Sequence, residues 1–265
     1  MKKYTIISKQ CENSNKIEAE IKSKIKLPVD NENPDIIFVI GGDGTILRAV
    51  HQFENIIDKV TIFGIHTGHL GFLANYTKDD IDRITSVLNC EFECKIEKQA
   101  LVEYTLTTDK EVLNGIALNE ITITSTPKLL TLDVFINGEY LETFKGDGLC
   151  ISSPSGSTGY NKSLGGAVID HYISTLQITE IAGLNSNSYR TLMSPLILSD
   201  RRKVEMIPST DTDVLFTYDN LHKRFENVKK VEVKVSSRKI RFAYVNSVNF
   251  VKRVNRAFLN PKELS

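Results

Sequence analysis

An unbroken apolar run that ends in a cluster of glycines constrains this fold more than any other feature. Residues 35–40 read Asp-Ile-Ile-Phe-Val-Ile and pass directly into Gly41-Gly-Asp-Gly44. A strand without polar alternation is typical of a parallel sheet that is covered on both faces. Helical spacing resumes over 45–53, and a second apolar run at 60–65 also ends in a glycine loop. This alternation predicts an open α/β domain over residues 1–100.

After residue 100 the chain consists of short segments rich in Val, Ile, Thr, Phe and Tyr, which is typical of antiparallel strands. These segments are 101–107, 116–124, 130–136, 139–145, 202–207, 213–218, 231–236 and 240–245. Asn137-Gly138 lies between two of them and predicts a hairpin, because a type I′ turn needs positive φ at both central residues. We therefore predict an all-β second domain over 101–249, with a helical insertion around 161–183. The tail, 250–265, has a helical pattern at 251–259, which we expect to pack back on the first domain.

Charge and composition argue against several classes of function. Lys plus Arg and Asp plus Glu number 33 each, so the chain lacks the basic excess that favours nucleic acid or acidic membranes. No stretch approaches the roughly 20 apolar residues that span a bilayer, and the first apolar run is too short for a signal peptide. We therefore expect a cytoplasmic protein without nucleic-acid or membrane partners.

Cysteine and histidine spacing gives little support for a metal site. The four cysteines form no CxxC pair; they are Cys11, Cys90, Cys94 and Cys150. Cys90 and Cys94 could share a helical face, but two further ligands are not found nearby. His66 and His69 lie three apart in a glycine loop and leave a metal interpretation open. We expect reduced structural thiols, hydrogen-bonded loop histidines and no metal site built from protein side chains.

Glycines concentrate in two windows, since all but two of the 15 lie within 41–71 and 138–166. Glycine lets backbone amides approach a ligand closely, so the two windows suggest two walls of a site that binds through main-chain groups. In the first window, the amides of Gly41-Gly-Asp-Gly-Thr45 at a helix start form an anion cradle. A carboxylate there repels phosphate, which favours a role for Asp43 in accepting a proton from a hydroxyl or in holding magnesium. The alternative is that Asp43 only caps the following helix.

Five sequence blocks occur in an order and spacing that resemble the NAD kinase family. They are Gly41-Gly-Asp-Gly-Thr45, Gly64-Ile-His-Thr-Gly-His-Leu-Gly-Phe72, Leu118-Asn-Glu120, Lys145-Gly-Asp-Gly148 and Ser153-Pro-Ser-Gly-Ser-Thr-Gly-Tyr-Asn-Lys-Ser163. Arg190-Thr-Leu-Met-Ser-Pro195 fits the same family further along. The first block alone also occurs in phosphofructokinases and in diacylglycerol and sphingosine kinases, and the later blocks separate this chain from those. The resemblance implies an α/β domain followed by a β-sandwich domain that binds a dinucleotide.

The resemblance also implies an activity. An NAD kinase transfers a phosphoryl group from ATP, with Mg²⁺ as the expected divalent ion, to the 2′-hydroxyl of the adenosine ribose of NAD, giving NADP and ADP. Its partners are NAD and ATP, with polyphosphate as an open alternative donor, and it self-associates as a homotetramer. Two alternatives remain at this point: a lipid or sugar kinase that shares the glycine loop, and a non-catalytic sensor of NAD or NADP.

Family roles transfer to this chain position by position. Asp43 would be the general base, and the phosphate-binding loop would comprise Gly41, Gly42, Gly44 and Thr45. The residues expected at the dinucleotide are Gly44, Phe72, Asn119, Glu120, Lys145, Asp147, Ser155, Thr158, Gly159, Tyr160, Ser163, Ala182 and Asn220. By the same resemblance, Asn119 and Glu120 would hold the adenosine, and Tyr160 and Ser163 would lie near the 2′-oxygen.

Further roles follow from the same resemblance. Phe72, Ser155 and Thr158 would line the adenine pocket. Asp147 and Ala182 would meet the nicotinamide end across a subunit interface.

Three positions depart from the commonest family pattern. Gly159 stands where alanine is usual, which is sterically permissive. Lys145 replaces a common arginine and exchanges a bidentate guanidinium for a point charge. Asn220 replaces a histidine found in some relatives, which puts a contact to the product 2′-phosphate in doubt.

Overall fold

The structure, a computed structural model, describes residues 2–68, 71–89, 94–125, 127–187, 190–209, 213–244 and 249–259. His69 and Cys90, together with 245–248 and 260–265, lie outside the described residues. The chain divides into two compact units. Unit 1 comprises 1–99 and 239–265, and unit 2 comprises 100–238. No helix in the described ranges is long and apolar enough to cross a membrane.

Unit 1 is an α/β layer. Its strands β1 (Tyr4–Ser8), β2 (Ile36–Ile40) and β3 (Thr61–Ile65) are parallel neighbours, and its helices are α1 (Glu12–Lys24), α2 (Asp43–Gln52) and α3 (Ile81–Asn89). Every residue of β2 and β3 is buried, as a run without polar alternation predicts. The predicted α/β first domain is therefore confirmed.

The C-terminal part of the chain completes unit 1. We predicted two strands over 231–236 and 240–245, but both belong to one long strand, β15 (Val228–Tyr244). Near its end, Arg241 and Phe242 pair in parallel with Thr61 and Ile62 of β3, so this end of β15 belongs to the sheet of unit 1. Helix α5 (Phe250–Val254) continues as a π-helical turn, Asn255–Leu259. The ring of Phe258 lies 5.3 Å from that of Phe72, which confirms that the helix packs on the first domain.

Unit 2 is an antiparallel β-sandwich. One sheet has the order β15, β12, β7, β8, with β4 paired to β15 and β5 paired to β4; the other has the order β11, β10, β9, β6, β13, β14. Their bounds are β4 (Lys95–Thr108), β5 (Val112–Ala117), β6 (Glu120–Thr124), β7 (Leu130–Ile136), β8 (Glu139–Gly146), β9 (Gly148–Ser152), β10 (Thr175–Ile181), β11 (Leu196–Ser199), β12 (Lys203–Pro208), β13 (Val214–Tyr218) and β14 (Leu221–Phe225). Buried side chains from both sheets, such as Phe144 and Phe216, form one core. This arrangement confirms the predicted sandwich.

Local signals in unit 2 had mixed outcomes. The Asn137-Gly138 hairpin is confirmed, with φ of 53° and 82° at its two positions between β7 and β8. The helical insertion around 161–183 is wrong, because only α4 (Tyr160–Ser163) is helical and 175–181 forms the strand β10. Gly165, at φ 86°, follows that single turn in a conformation that a helix cannot continue. The Thr and Ile residues of 175–181 then pair with β9 and β11 in a largely buried strand.

Candidate active site

In unit 1 the first glycine block joins β2 to α2. Gly42 is the N-cap residue of α2, and Asp43 is the first residue of the helix. Thr45 is buried and donates its backbone N–H to the Gly42 carbonyl at 2.9 Å, whereas Gly44 is exposed. Gly41 follows β2 directly and donates its N–H to Ile65 at the end of β3. The loop therefore lies at the carboxyl ends of two parallel strands, where open α/β sheets bind ligands.

The carboxylate of Asp43 does not cap its own helix. Its Oδ2 accepts the backbone N–H of Phe72 at 2.9 Å, and its Oδ1 accepts that of Leu73 at 3.1 Å and, more weakly, that of Ala74 at 3.4 Å. The N-cap of α2 has no side-chain hydrogen bond. The capping interpretation of Asp43 is therefore wrong, and the side chain instead joins the two glycine loops of unit 1.

Gly71 makes this contact sterically possible. A Cβ atom built on Gly71 would overlap the carboxylate group of Asp43. Any larger residue would push the carboxylate away from the amides of Phe72 and Leu73. The second glycine block thus has a glycine at this position because another side chain approaches its backbone closely.

In unit 2 the predicted adenosine residues lie where the chain leaves β5 and begins β6. The carboxylate of Asp219 accepts the N–H groups of Leu118 at 2.9 Å and Asn119 at 2.7 Å. The Asp219 backbone N–H in turn donates to the Glu120 carbonyl at 2.9 Å. Asp219 has a φ of 51° in the two-residue turn between β13 and β14. This reciprocal set of bonds fixes the backbone that presents Asn119 and Glu120.

The serine- and glycine-rich block packs against the same backbone. The N–H of Ser153 donates to the Asn119 carbonyl at 2.8 Å, and its hydroxyl donates to the Leu118 carbonyl at 2.5 Å. A Cβ atom on Gly156 would overlap the backbone of Asn119, and one on Gly159 would lie 4.0 Å from Glu120 Oε2. The structure thus brings the third and fifth sequence blocks together.

Glu120 has unusual electrostatics. Burial, and after it the neighbouring carboxylate of Asp219, raises the pKa of Glu120 to about 8. Its Oε2 is buried and has no hydrogen-bond partner among the described residues. A protonated carboxyl group can donate as well as accept hydrogen bonds, so this side chain is suited to a neutral polar ligand such as a ribose hydroxyl.

The fourth block lies beside the strand that precedes Ala182. Asp147 donates its N–H to the Ile181 carbonyl at 3.0 Å, and Lys145 accepts the N–H of Leu184 at 2.7 Å. Ala182 is exposed and has a φ of 48°. Asp147 is also exposed, which leaves its carboxylate accessible to a ligand.

Tyr160 lies near ionisable groups of the third and the fourth sequence block, Glu120 and Asp147. Partial burial raises the pKa of its hydroxyl, and the nearby Cys150, Glu120 and Asp147 raise it further. Ser155 is buried, and its carbonyl accepts the Thr158 hydroxyl at 3.2 Å.

Two predicted site residues are not joined to these groups. Ser163 and Asn220 are exposed, and within the described ranges neither side chain makes a hydrogen bond. Their predicted roles rest on the family resemblance.

Histidines and cysteines do not assemble into a metal centre in the part of the chain that the structure describes, which contains no group of three or more His, Cys, Asp or Glu suited to a metal ion. The Nδ1 atom of His66 lies 2.8 Å from the Gly68 carbonyl oxygen. Cys11, Cys94 and Cys150 are free thiols, and burial raises the pKa of Cys150 above its usual range.

Sequence reasoning missed three residues that shape these sites. Asp219 was not among the predicted site residues, although an Asp-Asn pair between two apolar runs is itself a hairpin signal. Gly71 was noted only as part of a block. Arg253, which donates to the Phe72 carbonyl at 3.1 Å, carried no signal because its partner lies 181 residues away in the chain.

This chain is similar to known proteins along most of its length. Residues 3–92 match the ATP-NAD kinase N-terminal domain, and residues 118–246 match the ATP-NAD kinase C-terminal domain. An NAD kinase of Lactobacillus gasseri is 39% identical over 235 residues, covering 88% of each chain. An NAD kinase of Staphylococcus aureus is 37% identical and covers 98% of this chain and 99% of its own.

Two solved structures share the fold. Yeast NADH kinase complexed with NADH superposes with a TM-score of 0.84 at 21% identity, covering 98% of this chain and 88% of that one. An NAD kinase from Archaeoglobus fulgidus in complex with ATP has a TM-score of 0.76 at 23% identity, covering 99% and 100%. Both domain matches and both close relatives lead to one conclusion: this chain belongs to the NAD kinase family.

Proposed function

We propose that this protein transfers the γ-phosphoryl group of ATP to the 2′-hydroxyl of the adenosine ribose of NAD. The observation that carries the proposal is the arrangement of Asp43. Its Oδ2 accepts one amide N–H at 2.9 Å, and a carboxylate oxygen has two lone-pair directions. One acceptor position on Oδ2 therefore remains for a substrate hydroxyl, while the amides of Phe72 and Leu73 hold the carboxylate in place.

The reaction balances with Asp43 as the base. The 2′-oxygen forms a bond to the γ-phosphorus as the bond from that phosphorus to the bridging oxygen of ATP breaks, and ADP leaves. The proton of the 2′-hydroxyl passes to Asp43. Mg²⁺ enters with ATP as part of the substrate and neutralises charge on the phosphates, as phosphoryl transfer generally requires.

Unit 2 supplies the proposed dinucleotide contacts. Asn119 and a protonated Glu120 bind the adenosine, since both can donate and accept hydrogen bonds. Ser155 and Thr158 contact the adenine. Tyr160 and Ser163 lie near the 2′-oxygen. The other residues proposed to bind the dinucleotide are Lys145, Asp147, Gly159, Ala182 and Asn220. The relatives solved with NADH and with ATP support these two ligand classes.

The proposal includes the cellular location and the oligomeric state of the enzyme. We place it in the cytoplasm as a homotetramer in which Asp147 and Ala182 reach a dinucleotide held by a neighbouring subunit. The exposure of both residues supports this arrangement.

The decisive experiment uses purified protein with NAD and Mg-ATP, and detects NADP with glucose-6-phosphate dehydrogenase. The same assay on Asp43→Asn tests the base. We expect turnover to fall on the order of 10²–10⁴-fold, the usual cost of losing a positioned general base, with little change in NAD affinity. Melting temperature serves as the control, because the new amide NH₂ faces a backbone N–H. A folded variant with nearly full turnover would remove Asp43 from the chemistry.

A lipid or sugar kinase would fail to make NADP in this assay. A sensor would bind NAD by calorimetry yet turn over none of it.

A further inference from the structure

One peptide group separates a buried guanidinium from the carboxylate of Asp43. The carbonyl of the Phe72–Leu73 peptide accepts Nη1–H of Arg253 at 3.1 Å. The N–H of the same peptide donates to Asp43 Oδ1 at 3.1 Å. The chain of groups therefore runs from guanidinium to peptide to carboxylate within unit 1.

Arg253 is buried to a degree that needs an explanation. It is 5% exposed, and its guanidinium lies 5.2 Å from the centre of the Tyr244 ring. Within the described residues its Nε has no hydrogen-bond partner, and its guanidinium and the buried carboxylate of Glu97 both act on the pKa of the Tyr244 hydroxyl. Burying a cation is costly even beside an opposite charge, and an apolar side chain would fill the same space at lower cost. Packing alone does not account for an arginine here.

The hydrogen bond to the Phe72–Leu73 peptide gives the positive charge of Arg253 a role at Asp43. A hydrogen bond from a cation to the carbonyl polarises the peptide, and linked hydrogen bonds strengthen one another. The polarised N–H of Leu73 then becomes a better donor to the carboxylate. Phe258 of the same C-terminal segment packs against Phe72, with the ring centres 5.3 Å apart, and restrains the loop beside this link.

We propose that Arg253 is a positioning residue for Asp43, acting through the Phe72–Leu73 peptide. The proposal rests on the proposed function, because it assumes that the carboxylate takes part in the reaction. Arg253 itself touches neither substrate in this assignment. Its contribution is to hold the amide donors, and through them the carboxylate, in the orientation that receives the proton.

The test compares three variants of the full-length protein in the NADP-forming assay. Arg253→Met keeps the buried volume and removes the charge and the donors. Arg253→Lys keeps the charge but has no planar fork. Lys252→Ala changes an exposed neighbour on the same helix and is the matched control. We measure kcat and the KM for NAD, together with melting temperature, and express kcat per folded protein.

We expect Arg253→Met to lower kcat about 10- to 100-fold, the equivalent of one charge-assisted hydrogen bond. The KM for NAD should stay within about twofold, because the loss falls on the transition state rather than on binding. Arg253→Lys should recover part of the loss, and Lys252→Ala should match the wild type.

Wild-type kcat in folded Arg253→Met would overturn the proposal, as would a loss confined to KM or to melting temperature. If Arg253→Met does not fold, Arg253→Gln, which removes the charge and keeps an N–H donor, replaces it, and wild-type kcat in that folded variant overturns the proposal. Full activity in Asp43→Asn is a different result: it would contradict the proposed role of Asp43 as the base, and not only the role of Arg253 in positioning it.

Discussion

The carboxylate of Asp219 accepts the backbone N–H of Asn119 at 2.7 Å, although the two residues lie 100 positions apart in the chain. The same carboxylate accepts the N–H of Leu118 at 2.9 Å. A side chain from the β13–β14 turn therefore sets the backbone that carries the predicted adenosine residues. A change of Asp219 should alter dinucleotide binding without altering any predicted contact residue.

Asp219→Ala tests this relationship. The substitution leaves two amide donors without their acceptor, which we expect to weaken NAD binding by roughly 1–3 kcal/mol. Isothermal calorimetry gives the affinity, and melting temperature shows whether the fold is retained. His222→Ala, at an exposed position in β14, is the control. Unchanged NAD affinity in folded Asp219→Ala would show that the turn does not set the adenosine site.

Glu120→Gln tests the protonation of the buried carboxyl group. The pKa of Glu120 is about 8 in the folded protein against an ordinary value of 4.5, so the folded state holds the proton more tightly. Its contribution to stability is complete below pH 4.5 and is lost as the pH rises through 8. Glutamine is neutral at every pH and abolishes this dependence.

We therefore expect the glutamine variant and the wild type to converge in stability below about pH 4.5 and to separate towards pH 8.5, with the variant about 3–5 kcal/mol more stable there. Urea unfolding at several pH values measures the difference. Parallel stability curves for the two proteins would contradict an elevated pKa at Glu120.

Gly71→Ala tests the close approach of loop and carboxylate. The new methyl group would overlap the Asp43 carboxylate and force it from the amides, at a cost of about 1–3 kcal/mol for overpacking. We expect lower turnover together with a lower melting temperature. Gly68→Ala in the same loop is the matched control, because its Cβ would meet open space. Equal behaviour of the two alanine variants would mean that the loop adapts freely.

Light scattering tests the proposed assembly. A homotetramer should have a mass about four times the 29.8 kDa of the chain, since closed symmetric assemblies are the rule for soluble homo-oligomers. Asp147→Ala should then lower NAD affinity in the tetramer. A monomer with full activity would exclude a site shared between subunits.

Local patterns were sufficient to predict the elements whose burial or turn chemistry is written into adjacent residues. The buried runs of β2 and β3 and the Asn137-Gly138 turn are of this kind. Residues 161–183 were not, because β10 has an environment that only its sheet neighbours β9 and β11 provide. Strand preference depends strongly on such neighbours, so a short mixed segment is easily assigned to the wrong class.

The site shows the same division. The glycine blocks and Asp43 are adjacent in sequence, and their composition alone pointed to a phosphate-binding loop. What holds Asp43 could not be predicted, because its amide partners lie 29 to 31 residues away and carry no distinctive side chain for the purpose. Backbone donors leave no trace in a sequence beyond the glycine that lets them approach.

The order in which a ribosome makes the chain has a consequence for unit 1. All of unit 2 is synthesised between residue 99 and residue 239, so β3 gains its β15 neighbour only after unit 2 has emerged. Arg253 reaches the Phe72 carbonyl later still. Unit 2 is continuous in sequence and can fold first. Residues 1–99 are synthesised earlier, but the edge of β3 then still lacks β15 and the loop at Phe72 still lacks Arg253. During synthesis, the Asp43 loop is therefore among the last parts of the molecule to acquire its final form.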